Sequence, residues 1–563
     1  MNNPKIIESN QILRTTKENF VDLTLNTINK GKQVLIFNNS KNSSEATAEK
    51  VAIAIKRVEN GKELEILSNK ILKSLSPPTK QCRRLAKCIL KGSAFHHSGL
   101  TGKQRTLVET NFKSGLIKII SSTPTLAAGL NLPAYKVIIK DYKRFSNRGM
   151  QDIPVLEFHQ MAGRAGRPGK ETTGRSVVLV KSEDEKKRVI KKFIFGKPEE
   201  ILSKLAVEPT LKMYLLSLIA MDMINSKDEI KDFFKNTLYA KQYGDLEELY
   251  YKVFKILQTL KTYKFIDSQD DYYRATRLGK RVSELYLNPD TANYFLENME
   301  ELKELFSKER YSSLDTYKLI HFVTNAIEMR PLFRVLKSEE DIYMSKISDL
   351  GDEMVTKYDP FEMDYRELMQ TFKTSDILQD WIIEKSEDDI CEKYKTTPGE
   401  LNYKLSNFDW LLYCLEQFAQ LQKMHFFSNL IKKLRIRFKH GVKEEIISLV
   451  SIKGIGRVRA RKLFTASIKT YSDIKKVSYR KLEEVIGKAV AKKLKDEIGN
   501  EYVENDKIVY TSSKPTQIKV REVSHEEVDE MVQVHVGYQK EQHEQIIKQE
   551  DKIETQNTLF RFM

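Results

Sequence analysis

The chain has 563 residues, with 95 Lys and Arg against 78 Asp and Glu, a formal net charge of +17. That length exceeds a single hydrophobic core and calls for roughly four domains, and the positive excess points to polyanionic partners, nucleic acid first. The cysteines Cys82, Cys88, Cys391 and Cys414 have no short paired spacing and no apolar run is long enough to span a bilayer, which argues against disulfide frameworks, zinc sites and membrane segments.

A soluble, cytoplasmic protein with no metal and no membrane partner is therefore expected, although charges of both signs alternate along most of the chain, as on ordinary solvated helix faces. Residues 33–38 (QVLIFN) are a short apolar run of strand type, and SSEATAEKVAIAIKRVE after it has helical spacing. A basic helix around RRLAKCIL, a helix through QRTLVETNFKSG and strands at 118–123, 137–140 and 176–180 continue the alternation. This predicts a parallel sheet covered on both faces, an α/β domain over residues 1–190 with ligands at the carboxyl ends of its strands. Over 191–289, TLKMYLLSLIAMDMI, SKDEIKDFF and LEELYYKVFKILQTLKTYKFI read as helices, the second with Ser226 and Glu229 at capping-box spacing, and DSQDDYYRATRLG as a hairpin. Three helices and a hairpin are the parts of a winged helix. Residues 290–430 read as a further helical domain and 431–500 as a small basic one. From 501 to 563 the chain is polar and charge-rich until its last five positions, a mostly disordered tail.

The segment HQMAGRAGRPG (159–169) sets Arg164 and Arg167 three residues apart, each preceded by glycine. Arginines at i and i+3 of one helix project to the same side, and their guanidinium forks suit phosphate oxygens. In ATPases built from paired lobes such arginines reach the γ-phosphate, though the bare spacing can also simply pack and salt-bridge. AFHHSGLTGKQR (94–105), SSTPTLAAGLNLPAYKVII (121–139) and EFHQMAGRAGRPG (157–169) resemble, in order and spacing, the second-lobe motifs of superfamily-2 helicases. More closely they resemble the Ski-like branch and, within it, the archaeal Hjm (Holliday-junction-migration) DNA helicases. The resemblance implies a second RecA-like lobe with Gln160, Arg164 and Arg167 in the nucleotide cleft. It assigns Thr123, Gly129 and Asn131 to the motif that couples nucleotide to the nucleic-acid backbone, Thr123 on the DNA side.

The resemblance continues to residue 500 and implies a winged helix, a helical ratchet domain and a helix-hairpin-helix domain. Within TTPGELNYKLSNFDWLLYCLEQFAQL, Trp410 would stack on a base, a contact every base can make. The basic residue that grips phosphate two turns earlier falls at Tyr403, or shifts to Lys404; a tryptophan in LSNFDWLLYCL is otherwise core-like. DYKRFSNRGMQDIPVLEF lies where family members carry a duplex-opening hairpin, with Arg144, Phe145 and Arg148 near its tip; an ordinary connecting hairpin is the alternative. In LVSIKGIGRVRARKLF (449–464), Gly454 and Gly456 permit a tight turn whose amides can point at a phosphate, and Arg457, Arg459, Arg461 and Lys462 add charge beside it. A basic solvated turn is the plain alternative. The run KKLRIRFK (432–439) is expected to extend the same surface.

A helicase of this family also needs a phosphate-cradling loop ending in Gly-Lys-Ser/Thr and an acidic magnesium motif. No Gly-Lys pair here is followed by Ser or Thr, and no Asp-Glu-x-His occurs. ATP and Mg2+ are thus expected mainly on a first RecA-like lobe carried by a separate polypeptide, with a truncated gene product as the competing account. The closing TQNTLFRFM places Gln556, Leu559, Phe562 and Met563 on the spacing of a peptide that binds the sliding clamp (PCNA), with Met563 where an aromatic is usual and a chance apolar terminus as the alternative. The expected function is the motor half of a 3′-to-5′ DNA helicase acting on single-stranded and forked or branched DNA in repair or recombination. A non-catalytic DNA-binding adaptor and an RNA helicase of the same branch are the alternatives.

Overall fold

The computed structural model describes residues 14–498 and the pairs of strand segments at 502–504 and 507–509, apart from short stretches at 76, 130–131, 147–148, 167–172, 204, 206–207, 245, 270, 307–311 and 357–363. These residues group into two compact units, Met1–Leu202 with Glu387–Tyr403, and Ser203–Ser386 with Lys404–Met563.

The first unit is built on strands β1 (Val34–Phe37), β2 (Ser93–His96), β3 (Ile119–Ser122), β4 (Lys136–Ile139) and β7 (Arg175–Val178), with a hairpin of β5 (Lys143–Ser146) and β6 (Gly149–Asp152) inserted before β7. The five strands pair in the order β2-β3-β1-β4-β7, and every pairing is parallel. Parallel strands buried on both faces read as continuous apolar runs, because successive side chains alternate between two covered sides. Leu35, Phe37, Ile120, Val137 and Ile139 pack into one core, while Val34, Ile36, Ile119 and Ile138 pack into another with Phe20, Val21, Val51 and Ile55. SAFH, quoted from the sequence only as part of a motif, is the edge strand β2.

The second unit begins with helices Glu208–Ala220, Lys227–Lys235 and Glu247–Thr262, a short helix Leu238–Tyr243 that the periodicity did not announce, and a hairpin of β8 (Ile266–Gln269) and β9 (Tyr272–Ala275). The expected capping box forms: the Glu229 amide donates to Ser226 Oγ at 3.3 Å and the Ser226 amide to Glu229 Oε2 at 3.1 Å. Helical segments follow, including Tyr365–Ile382 and His425–His440, and then a small domain whose own core runs from Val442 to Leu494. Tyr502–Glu504 pairs antiparallel with Lys507–Val509, so ordered pairing extends a few residues past the expected start of the tail.

The helical region read at 290–430 is divided between the two units. Glu387–Tyr403, including the first turn of the helix Pro398–Leu421, groups with the α/β unit. Asp388 accepts from the Lys80 amide and from Arg83, each at 2.7 Å, and Glu400 pairs with Lys41 while accepting from the Thr397 amide at 3.0 Å. The closest approach is backbone to backbone: the Gly399 amide donates to the Gly99 carbonyl at 2.9 Å. A Cβ on Gly399 would lie 2.3 Å from the Ser98 carbonyl oxygen and 2.7 Å from that of Leu100. Gly399→Ala should therefore destabilise the α/β unit by about 1–3 kcal/mol. An unchanged unfolding midpoint in urea would show that the two segments separate without cost.

Candidate nucleotide and nucleic-acid sites

Residues at the carboxyl ends of the parallel strands form the first candidate site, where this architecture binds ligands. Thr123 follows β3: its amide donates to the His96 carbonyl at 3.3 Å, and its hydroxyl shares a hydrogen bond with Thr125 Oγ1 at 2.9 Å. The short helix Thr125–Gly129 packs beside Val155–Ala162, whose first amides, Val155 and Leu156, are capped by Glu199 at 2.8 and 3.0 Å. Those two bonds hold the Glu199 carboxyl below its ordinary range.

Gln160 is half-buried in the last turn of that helix. The helix ends at Ala162, so Arg164 lies beyond it, and the expectation that it projects from a helical face is corrected. Arg164 lies in the turn beyond, where Ala165 bridges to Ala134 in parallel and Gly166, at φ +100°, donates to the Ala134 carbonyl at 2.7 Å. That backbone reversal needs a residue tolerant of positive φ, which glycine supplies. From there the half-buried Arg164 guanidinium turns onto the Ala127 carbonyl, with Nε at 3.1 Å and Nη2 also donating. Burial lowers its pKa, but a guanidinium stays charged throughout the physiological range. The structure thus brings Arg164 to the helix that follows Thr123. Asn131 and Arg167 lie outside the described residues, and of Gly129 only its helical backbone is described.

Sequence reasoning missed Asn38, Ser43 and Lys140 at the same sheet edge. Asn38 Nδ2 donates to Ser121 Oγ at 2.9 Å, and Lys140 Nζ to Ser43 Oγ at 3.1 Å. The available signal was position alone, a polar residue directly after each of two buried strands. Below them His97 is fully buried, its Nε2 3.1 Å from Glu45, which also pairs with Arg84. Burial would raise the Glu45 carboxyl, but hydrogen bonds from His97 and Gln81 and the charge of Arg84 outweigh it and lower the pKa.

A hairpin forms within 141–158. Arg144 sits within β5 opposite Gln151, three residues before the turn, and its guanidinium pairs with Glu157 at 2.9 Å. Phe145 stands opposite Met150 in the register, and Arg148 lies outside the described residues.

In the helical unit Trp410 is half-buried on the helix Pro398–Leu421. Tyr403 is 53% exposed, whereas Lys404 is only 4% exposed and donates through Nζ to the Met329 carbonyl. The phosphate grip assigned to Lys404 is corrected: a buried ammonium needs its acceptor inside the protein. KKLRIRFK does not extend a basic surface as one piece either. It is the end of helix His425–His440, with Leu434 and Phe438 buried and Arg435 3.0 Å from both Asp409 and Glu416.

The small domain has the expected hairpin. Gly454 is at φ +87°, Gly456 caps the helix Arg457–Thr465 with no side-chain hydrogen bond, and a Cβ on either would meet nothing within 4 Å. Exposed backbone at a helix start is where anions bind. The flanking arginines are not equivalent. Arg459 is exposed and donates only within the hairpin, to the Gly454 carbonyl at 3.3 Å, whereas Arg457 and Arg461 are half-buried against Trp381, Glu384 and Glu445. Gln556, Leu559, Phe562 and Met563 lie outside the described residues. Among the described residues no group of His, Cys, Asp and Glu is placed to hold a metal ion, and no helix is long and apolar enough to cross a membrane.

Four family models match the chain: helicase conserved C-terminal domain (16–169), helix-turn-helix domain (174–267), domain 4 of archaeal helicases (317–441) and SAM-like helix-hairpin-helix tandem (446–500). The ATP-dependent DNA helicase Hel308 of Methanococcus vannielii is 37% identical over 528 residues, covering 86% of this chain and 68% of the relative. Those of Methanocella arvoryzae and Pyrococcus abyssi are 33% and 35% identical, covering 80% and 83% of this chain and 60% and 64% of theirs. The chain therefore spans about two thirds of the length of these relatives, by the same 60% to 68% shares.

If Lys404 serves the interior, Lys404→Gln should leave the salt dependence of DNA binding unchanged, whereas loss of a phosphate contact lowers the slope of log K against log salt by about one. A fall of that size would return Lys404 to the DNA surface.

Proposed function

The chain belongs to the Hel308 family of DNA helicases, and from that premise we propose that it is the DNA-engaging, arginine-supplying part of an ATP-dependent 3′-to-5′ helicase, of the kind called Hjm, acting on forked or branched DNA in repair or recombination. The observation that carries the reading is the turn that holds Arg164 against the Ala127 carbonyl, joining the arginine segment to the helix after Thr123. In paired-lobe ATPases a charge of this kind is spent on the transferring phosphoryl group, and the segment beside it reports nucleotide state to the nucleic acid. ATP would be held between Gln160, Arg164 and Arg167 on this side and a first lobe on a separate polypeptide, which would also supply the acidic Mg2+ ligands. Bound Mg2+ neutralises charge on the β- and γ-phosphates.

Trp410 would stack on a base, and the hairpin at Gly454 and Gly456 would hold the backbone without reading sequence. Gln556, Leu559, Phe562 and Met563 would tether the assembly to the sliding clamp PCNA, and the setting is cytoplasmic.

DNA-stimulated ATP hydrolysis by the chain alone and with an added Hel308 first lobe tests the proposal. Activity is expected only with the added lobe, and Arg167→Ala should lower it by about 10³-fold or more. No hydrolysis with any first lobe, alongside tight salt-sensitive binding to forked DNA, would leave a non-catalytic adaptor. Faster unwinding of RNA forks than DNA forks would favour the RNA reading.

A further inference from the structure

The basic helix Arg457–Thr465 carries arginines at 457, 459 and 461 and lysine at 462, and its periodicity divides them. Residues four apart share a face of a helix, so Arg457 and Arg461 lie together, while Arg459 and Lys462, three apart, lie on another.

The first face is occupied by protein. The Arg457 guanidinium carbon lies 4.5 Å from the ring centroid of Trp381, and its Nη1 donates to the Lys385 carbonyl at 3.4 Å. Trp381, in the last turn of helix Tyr365–Ile382, is itself held by Nε1 donating to the Phe438 carbonyl at 2.7 Å. Gly441, at φ +64°, ends helix His425–His440 directly against this stack: a Cβ there would sit 2.7 Å from Trp381 Cε2 and 2.9 Å from Arg457 Nη1. One turn along, Arg461 Nε donates to Glu384 Oε2 at 2.7 Å and Nη1 to Glu445 Oε1 at 2.6 Å. Glu384 also accepts from the Lys443 amide at 2.9 Å, so one carboxylate binds both the segment entering the small domain and its basic helix. Burial would raise the Glu384 carboxyl, but the Arg461 and Lys443 hydrogen bonds keep it below its ordinary range.

The second face is exposed: Arg459 and Lys462 on the helix and Lys453 in the hairpin before it lie beside the uncovered glycines, and Arg459 also donates to the Gly454 carbonyl at 3.3 Å.

We propose that this helix is divided by role: Arg457 and Arg461 are positioning residues that fix the small domain against the end of helix Tyr365–Ile382, and only Lys453, Arg459 and Lys462 meet nucleic-acid phosphate. The inference rests on the DNA-engaging reading above and names which cations of that site do the engaging. The lock gives the hairpin a defined bearing on the strand, because a cation–π stack and a two-carboxylate grip constrain orientation as well as distance.

The test uses the whole chain with forked DNA over a range of salt concentrations. Arg459→Gln and Lys453→Gln should each lower the slope of log K against log salt by about one. Arg461→Gln should leave the slope unchanged but weaken binding by about tenfold at every salt concentration, with about tenfold faster hydrogen exchange of the segment containing the Lys443 amide. Glu384→Gln should reproduce the Arg461→Gln effects, and the double variant should add nothing further, as expected of two partners in one interaction. A slope lowered by about one in Arg461→Gln, with Glu384→Gln leaving binding intact or strengthening it, would overturn the proposal by placing Arg461 on phosphate. Faster exchange with binding unaltered would overturn it differently, reducing the contact to local structure. Failure of the unsubstituted chain to bind DNA would sink the DNA-engaging reading itself, a result distinct from either.

Discussion

A cation taken out of water must be met by an acceptor or it costs several kcal/mol, and that requirement sorts the basic residues of this chain. Arg435 is enclosed between Asp409 and Glu416, Lys404 is given to the Met329 carbonyl, and Lys495 is held by the carbonyls of Ile474 and Lys475 at 3.1 and 3.2 Å. Each is a positive charge in the sequence that the fold meets with its own acceptors. What a polyanion can meet is the remainder after these interior obligations, so the net charge of +17 describes the tendency of the whole chain and not the composition of any site.

The same reasoning applies at the sheet edge. A half-buried guanidinium must be met by an acceptor, and Arg164 rests on the Ala127 carbonyl. That acceptor is backbone, so the contact depends on the path of the turn through Gly163 and Gly166 and not on a particular side chain. Backbone close approach recurs at Gly399 against Ser98 and Leu100, and at Gly441 against Trp381. At these positions the absence of a Cβ lets two segments meet, and a hydrogen bond or a ring fills the space.

Membership of the Hel308 family fits the order of parts, an α/β lobe followed by a helix-turn-helix, an archaeal helicase domain and a helix-hairpin-helix tandem. In the reading proposed above, the lobe would supply arginines and the segments at its strand ends, and the helical parts would supply surfaces that hold a strand without reading it, which suits an activity that must proceed along any sequence.

The sequence by itself determined the elements and their order. Short strand runs alternating with helical spacing identified a parallel sheet covered on both faces, Ser226 and Glu229 announced a capping box that forms, and the GIG turn of the small domain was legible because positive φ leaves few choices of residue. Those signals are local, set by period and backbone geometry within a few residues. Only the tertiary structure decided which charges were available. KKLRIRFK and GRVRARK read alike as basic runs, yet Arg435 and Arg461 face carboxylates at least 16 positions away in sequence, while Arg459, two residues from Arg461, faces solvent. Lys404 and Tyr403 are neighbours in sequence and opposite in exposure for the same reason. A side chain's partner depends on which distant segment folds against it, and no spacing within the chain encodes that directly.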